Sequence, residues 1–235
     1  MKIAMVSYTG GAGKTTIAAQ MLAPRMNGAE IYAIESVNET AAGLGLEVDQ
    51  MAAKKFRDLH KKLVLSNDAI IDVGNGSLEQ FLSGMVQIDE SHNEIDYFVI
   101  PVESDTKGQK ETIKTIMALA EIGIEPEKIR IVFNKVESDV ADEFPHVLNY
   151  VKKEKNAVAD VKAAIFENEL FDALGAKGTT INALLSDDTD YKALIKNNPD
   201  ASAKERSHWG DMHGLKALAR SVNRNLDSVF STLFK

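Results

Sequence analysis

The chain has 235 residues, 44% of them hydrophobic and 26% charged, which suits one larger α/β domain with a continuous core. It contains no cysteine, which excludes a disulfide framework and thiolate chemistry. A net charge of −8 argues against a broadly cationic nucleic-acid coat while leaving local basic patches open.

Residues 1–22 carry no charged leader followed by an apolar core and a cleavage site, and no apolar run approaches the ~20 residues of a spanning helix. A cytoplasmic protein is expected. In chain order, short apolar runs predict strands at Lys2–Ser7, Glu30–Glu35, Ala69–Val73, Tyr97–Val102, Ile129–Asn134 and Val161–Phe166. Amphipathic patterns between them predict helices at Lys14–Arg25, Asp49–Leu63, Leu78–Met85, Lys107–Ile122 and Val140–Glu154. The strands are continuously apolar, which implies burial on both faces. The alternation therefore predicts an α/β fold, a mostly parallel twisted sheet flanked by helices on both faces. The whole chain, 1–235, reads as a single domain. Residues 186–214 are polar and turn-rich and are expected as a surface excursion, followed by a C-terminal amphipathic helix over 215–234.

The stretch "SYTGGAGKTT", residues 7–16, follows the first strand and opens the first helix. Gly10, Gly11 and Gly13 allow backbone N–H groups to approach phosphates closely. The helix that begins near Lys14 adds the partial positive charge of its N-terminus. Lys14 would bridge the β and γ phosphates, the Thr15 hydroxyl would bind Mg²⁺, and Gly10, Gly11, Ala12, Gly13 and Thr16 complete the cradle.

"GGAGKTT" and the chain after it resemble the deviant Walker A proteins, the ParA and MinD ATPases of the SIMIBI class of P-loop NTPases. Among these the chain is most similar to the plasmid StbB-type stability and conjugation proteins, over residues 1 to about 175. The resemblance implies an ATP-binding switch with Mg²⁺, acting in plasmid stability, segregation or conjugative transfer. It also implies a nucleotide-dependent homodimer, read by a DNA-binding adaptor or a transfer-machinery protein. Two alternatives stand beside it: a nucleotide-gated scaffold that hardly hydrolyses, and an ATP-dependent metabolic enzyme of the dethiobiotin synthetase kind.

By the same resemblance, Asp72 in "NDAIIDVGNG" would act as a Walker B aspartate, holding Mg²⁺ and serving catalysis with Lys14. Gly74 and Gly76 would form a second switch. The other reading of Asp72 is a cap on the next helix. In "IRIVFNK", Asn134 would contact the base, since an amide both donates and accepts, or it simply begins a turn. "NKVE" places Glu137 where GTP-binding proteins carry aspartate, so GTP ranks behind ATP. "IFENELFDAL" resembles the loop that closes over the base, with Glu167 and Asn168 at its rim; a helix capped by Asn168 explains the same letters.

The chain also departs from the family. Tyr8 and Thr9 stand where the loop otherwise supplies a lysine to the partner's phosphates, which implies weak or partner-stimulated ATPase activity. After Ile31, "ESVNE" puts Val37 where an aspartate orients water, leaving Asn38 or Glu39 as substitutes. Residues 52–63 gather Lys54, Lys55, Arg57, Lys61 and Lys62 around an apolar stripe of Phe56, Leu59 and Leu63, expected as a solvated face or a polyanion patch. The last helix carries a stripe from Leu215 to Leu233 expected to cover the sheet, with membrane contact or DNA contact through Arg220 and Arg224 as lesser readings. The five histidines show no metal-ligand spacing.

Overall fold

Alternate side chains along the strands serve two different cores, one on each face of a single sheet. A computed structural model describes residues 1–34 and 46–235. Seven strands, β1 (Lys2–Met5), β2 (Glu30–Ile34), β3 (Asp49–Met51), β4 (Ala69–Val73), β5 (Tyr97–Val102), β6 (Ile129–Val136) and β7 (Ala164–Phe166), lie in the order β3-β2-β4-β1-β5-β6-β7. Every pairing between them is parallel. Ala4, Ile71, Phe98, Ile100 and Phe133 face one core with the helices Phe56–Leu65, Leu78–Gln87 and Thr106–Glu121. Ile3, Met5, Ile70, Val99 and Val132 face the other, covered by the segment 14–25 and the helix Ala203–Leu233. This period of two decides the site as well. Asp72 and Asn134 share parity with Ile70 and Val132, so they fall on the face where the first helix packs.

From β1 the chain moves outward to β2 and β3, returns to β4 beside β1, and only then builds β5, β6 and β7 on the far side. The direction reverses around β1, and in an open parallel sheet a crevice opens at the carboxyl ends of the strands there. The loop after β1 occupies that place.

The expected strand at 69–73 is buried at all five positions, as a strand covered on both faces must be. The expected helix over 49–63 is a correction. Asp49–Met51 pairs with Tyr32–Ile34 at the open edge of β2, Ala52 stays extended, and the α-helix begins at Phe56. Pairing with a free sheet edge outweighs a helical period that becomes regular only later. The expected helix over 140–154 is interrupted at Phe144, because Pro145 has no N–H to continue the ladder.

Residues 186–214 contain a helix, Tyr191–Asn197, and the start of the long terminal one. That helix begins at Ala203 rather than near 215, set by a capping box between Ser202 and Glu205. Ala219, Val222, Leu226, Val229 and Leu233 bury its stripe against the sheet. Among the described residues, no helix is long and apolar enough to cross a membrane.

Candidate functional site

The loop between β1 and the first helix turns on two glycines in the left-handed region, Gly11 at φ 81° and Gly13 at φ 88°. Its entry is tied to the helix Thr106–Glu121: the Tyr8 N–H donates to Thr115 Oγ1 at 3.2 Å, and the Thr9 N–H donates to Ser7 Oγ at 3.0 Å. Its exit is the helix Lys14–Ile17, which passes into a π-helical turn, Ala18–Leu22, and then Ala23–Arg25. Pro24 has no N–H to give the Gln20 carbonyl. The Arg25 guanidinium supplies the missing donors, reaching the carbonyls of Gln20 at 3.3 Å and Met21 at 3.0 Å.

Inside the loop, Lys14 is buried and its Nζ donates to the Thr9 carbonyl at 3.2 Å. The Thr15 hydroxyl donates to Asp72 Oδ2 at 2.6 Å. Burial pushes the Asp72 carboxyl above the ordinary carboxylate range, while the Thr15 hydroxyl and the Lys14 ammonium pull it back down. Gly10 to Thr16, with Asp72, Gly74 and Asn75, line a cavity of about 220 Å³. Asn75 is a residue that sequence reasoning does not single out. It lies opposite Gly10, where an added Cβ would come within 3.4 Å of its Nδ2, and its position between two glycines is the available signal.

A second cavity, about 230 Å³, shares Gly11, Gly13 and Thr16 with the first. Its apolar walls are Ile17, Ile165, Phe171 and Leu226, and its polar ones include Gln20, Asn134, Lys135 and Asp172. Asn134 is buried and donates from Nδ2 to the Ala12 carbonyl at 2.9 Å, so it braces the loop besides facing this cavity.

Of the residues expected at the site, Gly10 to Thr16, Asp72 and Asn134 come together. Glu167 does not line either cavity. Its N–H continues the ladder to the Val136 carbonyl at 3.0 Å and its side chain is exposed, so the chain reaches the cavity only at Phe171 and Asp172. Asn168 Oδ1 accepts from the Leu170 N–H at 3.0 Å in the turn before the helix Leu170–Lys177, whose N-cap position is Glu169. Glu137 is exposed and its N–H is held by Glu143 Oε2 at 3.2 Å. Glu35, Val37, Asn38 and Glu39 lie outside the described residues. Among the described residues no three histidine, cysteine, aspartate or glutamate side chains converge as a metal site.

No family model matches the chain, and no curated protein sequence matches it significantly. Solved structures do. The cell division ATPase MinD of Pyrococcus furiosus matches with a TM-score of 0.56 at 15% identity, covering 96% of this chain and 98% of that one. The MinC:MinD complex of Aquifex aeolicus matches with a TM-score of 0.53 at 17% identity, covering 79% and 88%. An ATP complex of a single-site variant of Cyanothece McdA matches with a TM-score of 0.51 at 16% identity, covering 91% and 96%. Identity at this level speaks for the fold, and the all-parallel order with a glycine loop after the central strand says the same. The chain therefore has the P-loop α/β fold of MinD and McdA, in keeping with its resemblance to the ParA and MinD ATPases.

Proposed function

We propose that the chain binds ATP with Mg²⁺ and works as a nucleotide switch. The observation that carries this reading is the 2.6 Å bond from Thr15 to Asp72 at the wall of the glycine-loop cavity, with Lys14 buried beside it. A hydroxyl and a carboxylate oxygen this close form a hard-oxygen pair suited to Mg²⁺, which is usually held by one or two carboxylates together with phosphate oxygens. The ion would neutralise phosphate charge there. Main-chain amides of Gly10 to Thr16 and the Lys14 ammonium would hold the phosphates, and the second cavity would take the nucleoside. That a similar protein, Cyanothece McdA, was solved with ATP supports the same assignment.

The wider role, as a nucleotide-dependent homodimer read by a DNA-binding adaptor or transfer-machinery protein in plasmid stability, segregation or conjugation, rests on the resemblance. The MinD of Aquifex in complex with MinC supports a partner protein of some kind. Calorimetry tests the core of the proposal. ATP with Mg²⁺ is expected to bind the native chain, and Lys14→Ala or Thr15→Ala to weaken that binding at least tenfold. No heat from the native protein at millimolar ATP would end it. Light scattering in ADP, ATP and a non-hydrolysable analogue tests the dimer.

A second reading, a nucleotide-gated scaffold with little turnover, is favoured by the loop entry. Tyr8 packs against the apolar core and Thr9 gives its carbonyl to Lys14, so neither position supplies a cation. Phosphate release at several per minute without any partner would exclude it.

A further inference from the structure

The polar groups of the second cavity are mostly committed elsewhere, and the exceptions define what the cavity can recognise. Gln20 is engaged at both ends, its Nε2 on the Thr179 carbonyl at 3.3 Å and its Oε1 on the Ile181 N–H at 2.8 Å. The Lys135 ammonium sits 2.5 Å from the Glu103 carboxylate. Asn134 spends Nδ2 on Ala12. Apart from the Thr16 hydroxyl, which belongs to the phosphate loop, two side-chain groups remain, and both accept: the Asn134 Oδ1 and the Asp172 carboxylate, which makes no hydrogen bond or ion pair among the described residues. Between them stand Ile17, Ile165, Phe171 and Leu226, apolar walls suited to a flat ring. A ring placed here must bring donors, because a carbonyl oxygen set against two acceptors is repelled and left unpaired.

We infer that Asp172 is a base-selecting residue: it accepts a hydrogen bond from the exocyclic 6-amino group of adenine. That group carries two N–H bonds and can satisfy both acceptors, whereas guanine presents a carbonyl oxygen at the same position. Sequence reasoning points instead to Glu167, five residues earlier, which the β6–β7 ladder keeps out of the cavity.

The inference rests on the nucleotide reading above, and the experiment separates the two. Binding of ATP, GTP and purine riboside triphosphate, which lacks the 6-amino group, is measured by calorimetry for the native chain, Asp172→Ala and Asp172→Asn. One charge-assisted hydrogen bond predicts that ATP binds the native protein about tenfold more tightly than purine riboside triphosphate. Asp172→Ala is expected to narrow that gap to the share held by Asn134 Oδ1, and Asp172→Asn, which keeps a carbonyl acceptor, to retain more of it. Asp172 is exposed, so neither change threatens folding, and circular dichroism checks this. Equal native affinities, a gap undiminished by Asp172→Ala, or GTP binding more tightly than ATP overturns the inference and leaves nucleotide binding standing. Failure of all three ligands to bind the native chain overturns both.

Discussion

The Asn134 side chain donates from Nδ2 to the Ala12 carbonyl at 2.9 Å, tying the end of β6 to the middle of the phosphate loop across 122 positions of sequence. Both residues are buried, so losing the donor leaves a desolvated carbonyl without a partner. Asn134→Leu is expected to cost about 1–3 kcal/mol in urea unfolding and to weaken ATP binding in parallel. Unchanged affinity in the folded variant would mean that the brace is dispensable for the loop.

Gly13 is held at φ 88°, and a Cβ there would come within 2.4 Å of Asn134 Nδ2. Gly13→Ala therefore meets two penalties, a left-handed torsion costing roughly 1–2 kcal/mol and a clash on top of it. Adding Asn134→Ala removes the clash and leaves the torsion. In a double-mutant cycle read by urea midpoints, the pair is expected to cost less than the sum of the single changes. Strict additivity would contradict the contact.

Asp72 is 1% exposed, and burial raises its pKa in the folded state above the unfolded value. Folding thus favours the protonated form. The stability linked to that proton is present at pH below the ordinary carboxylate range and lost as pH rises through the raised value. At neutral pH the ionised carboxylate is a cost kept for binding. Asp72→Asn is expected to raise stability at neutral pH by about 0.5–2 kcal/mol while weakening Mg²⁺-dependent ATP binding. The gain should shrink as pH falls into the acid range. A variant less stable than the native chain at neutral pH would refute this account.

Arg25 joins the loop's helix to the terminal one. Besides the carbonyls of Gln20 and Met21, its guanidinium reaches Asp227 Oδ1 at 2.7 Å and both the carbonyl and Oδ1 of Asn223, at 3.0 and 2.9 Å. With the Arg25 side chain 10% exposed, its bonds to the carbonyls and to Asn223 are shielded from competing water, whereas the Asp227 carboxylate is 58% exposed. Arg25→Ala is expected to cost about 2–3 kcal/mol. Amide exchange should speed up in 219–233 before it does in β4 and β5. Uniform loss of protection across the chain would argue against a local clamp.

The sequence by itself determined the parallel α/β fold and the glycine loop after β1, whereas Thr15 and Asp72, 57 positions apart, were paired only through the resemblance to the ParA and MinD ATPases. Continuous apolar runs mean strands buried on both faces, and a glycine-rich turn ending in Gly13, Lys14 and Thr15 has few other physical uses. Those are local signals, carried by residues that are neighbours in the chain. Tertiary structure decided what depends on residues far apart. Asp49–Met51 became a strand because β2 offered an open edge, which no helical period in that segment announces. Asn134 became a brace because strand parity and the β1–β5–β6 order bring it under Ala12. Asp172, not Glu167, reached the second cavity because the ladder with β6 holds the chain until Glu167 and only then releases it into a helix. In each case a backbone hydrogen bond between distant segments set where a side chain could go, and such bonds leave no trace in the spacing of nearby residues.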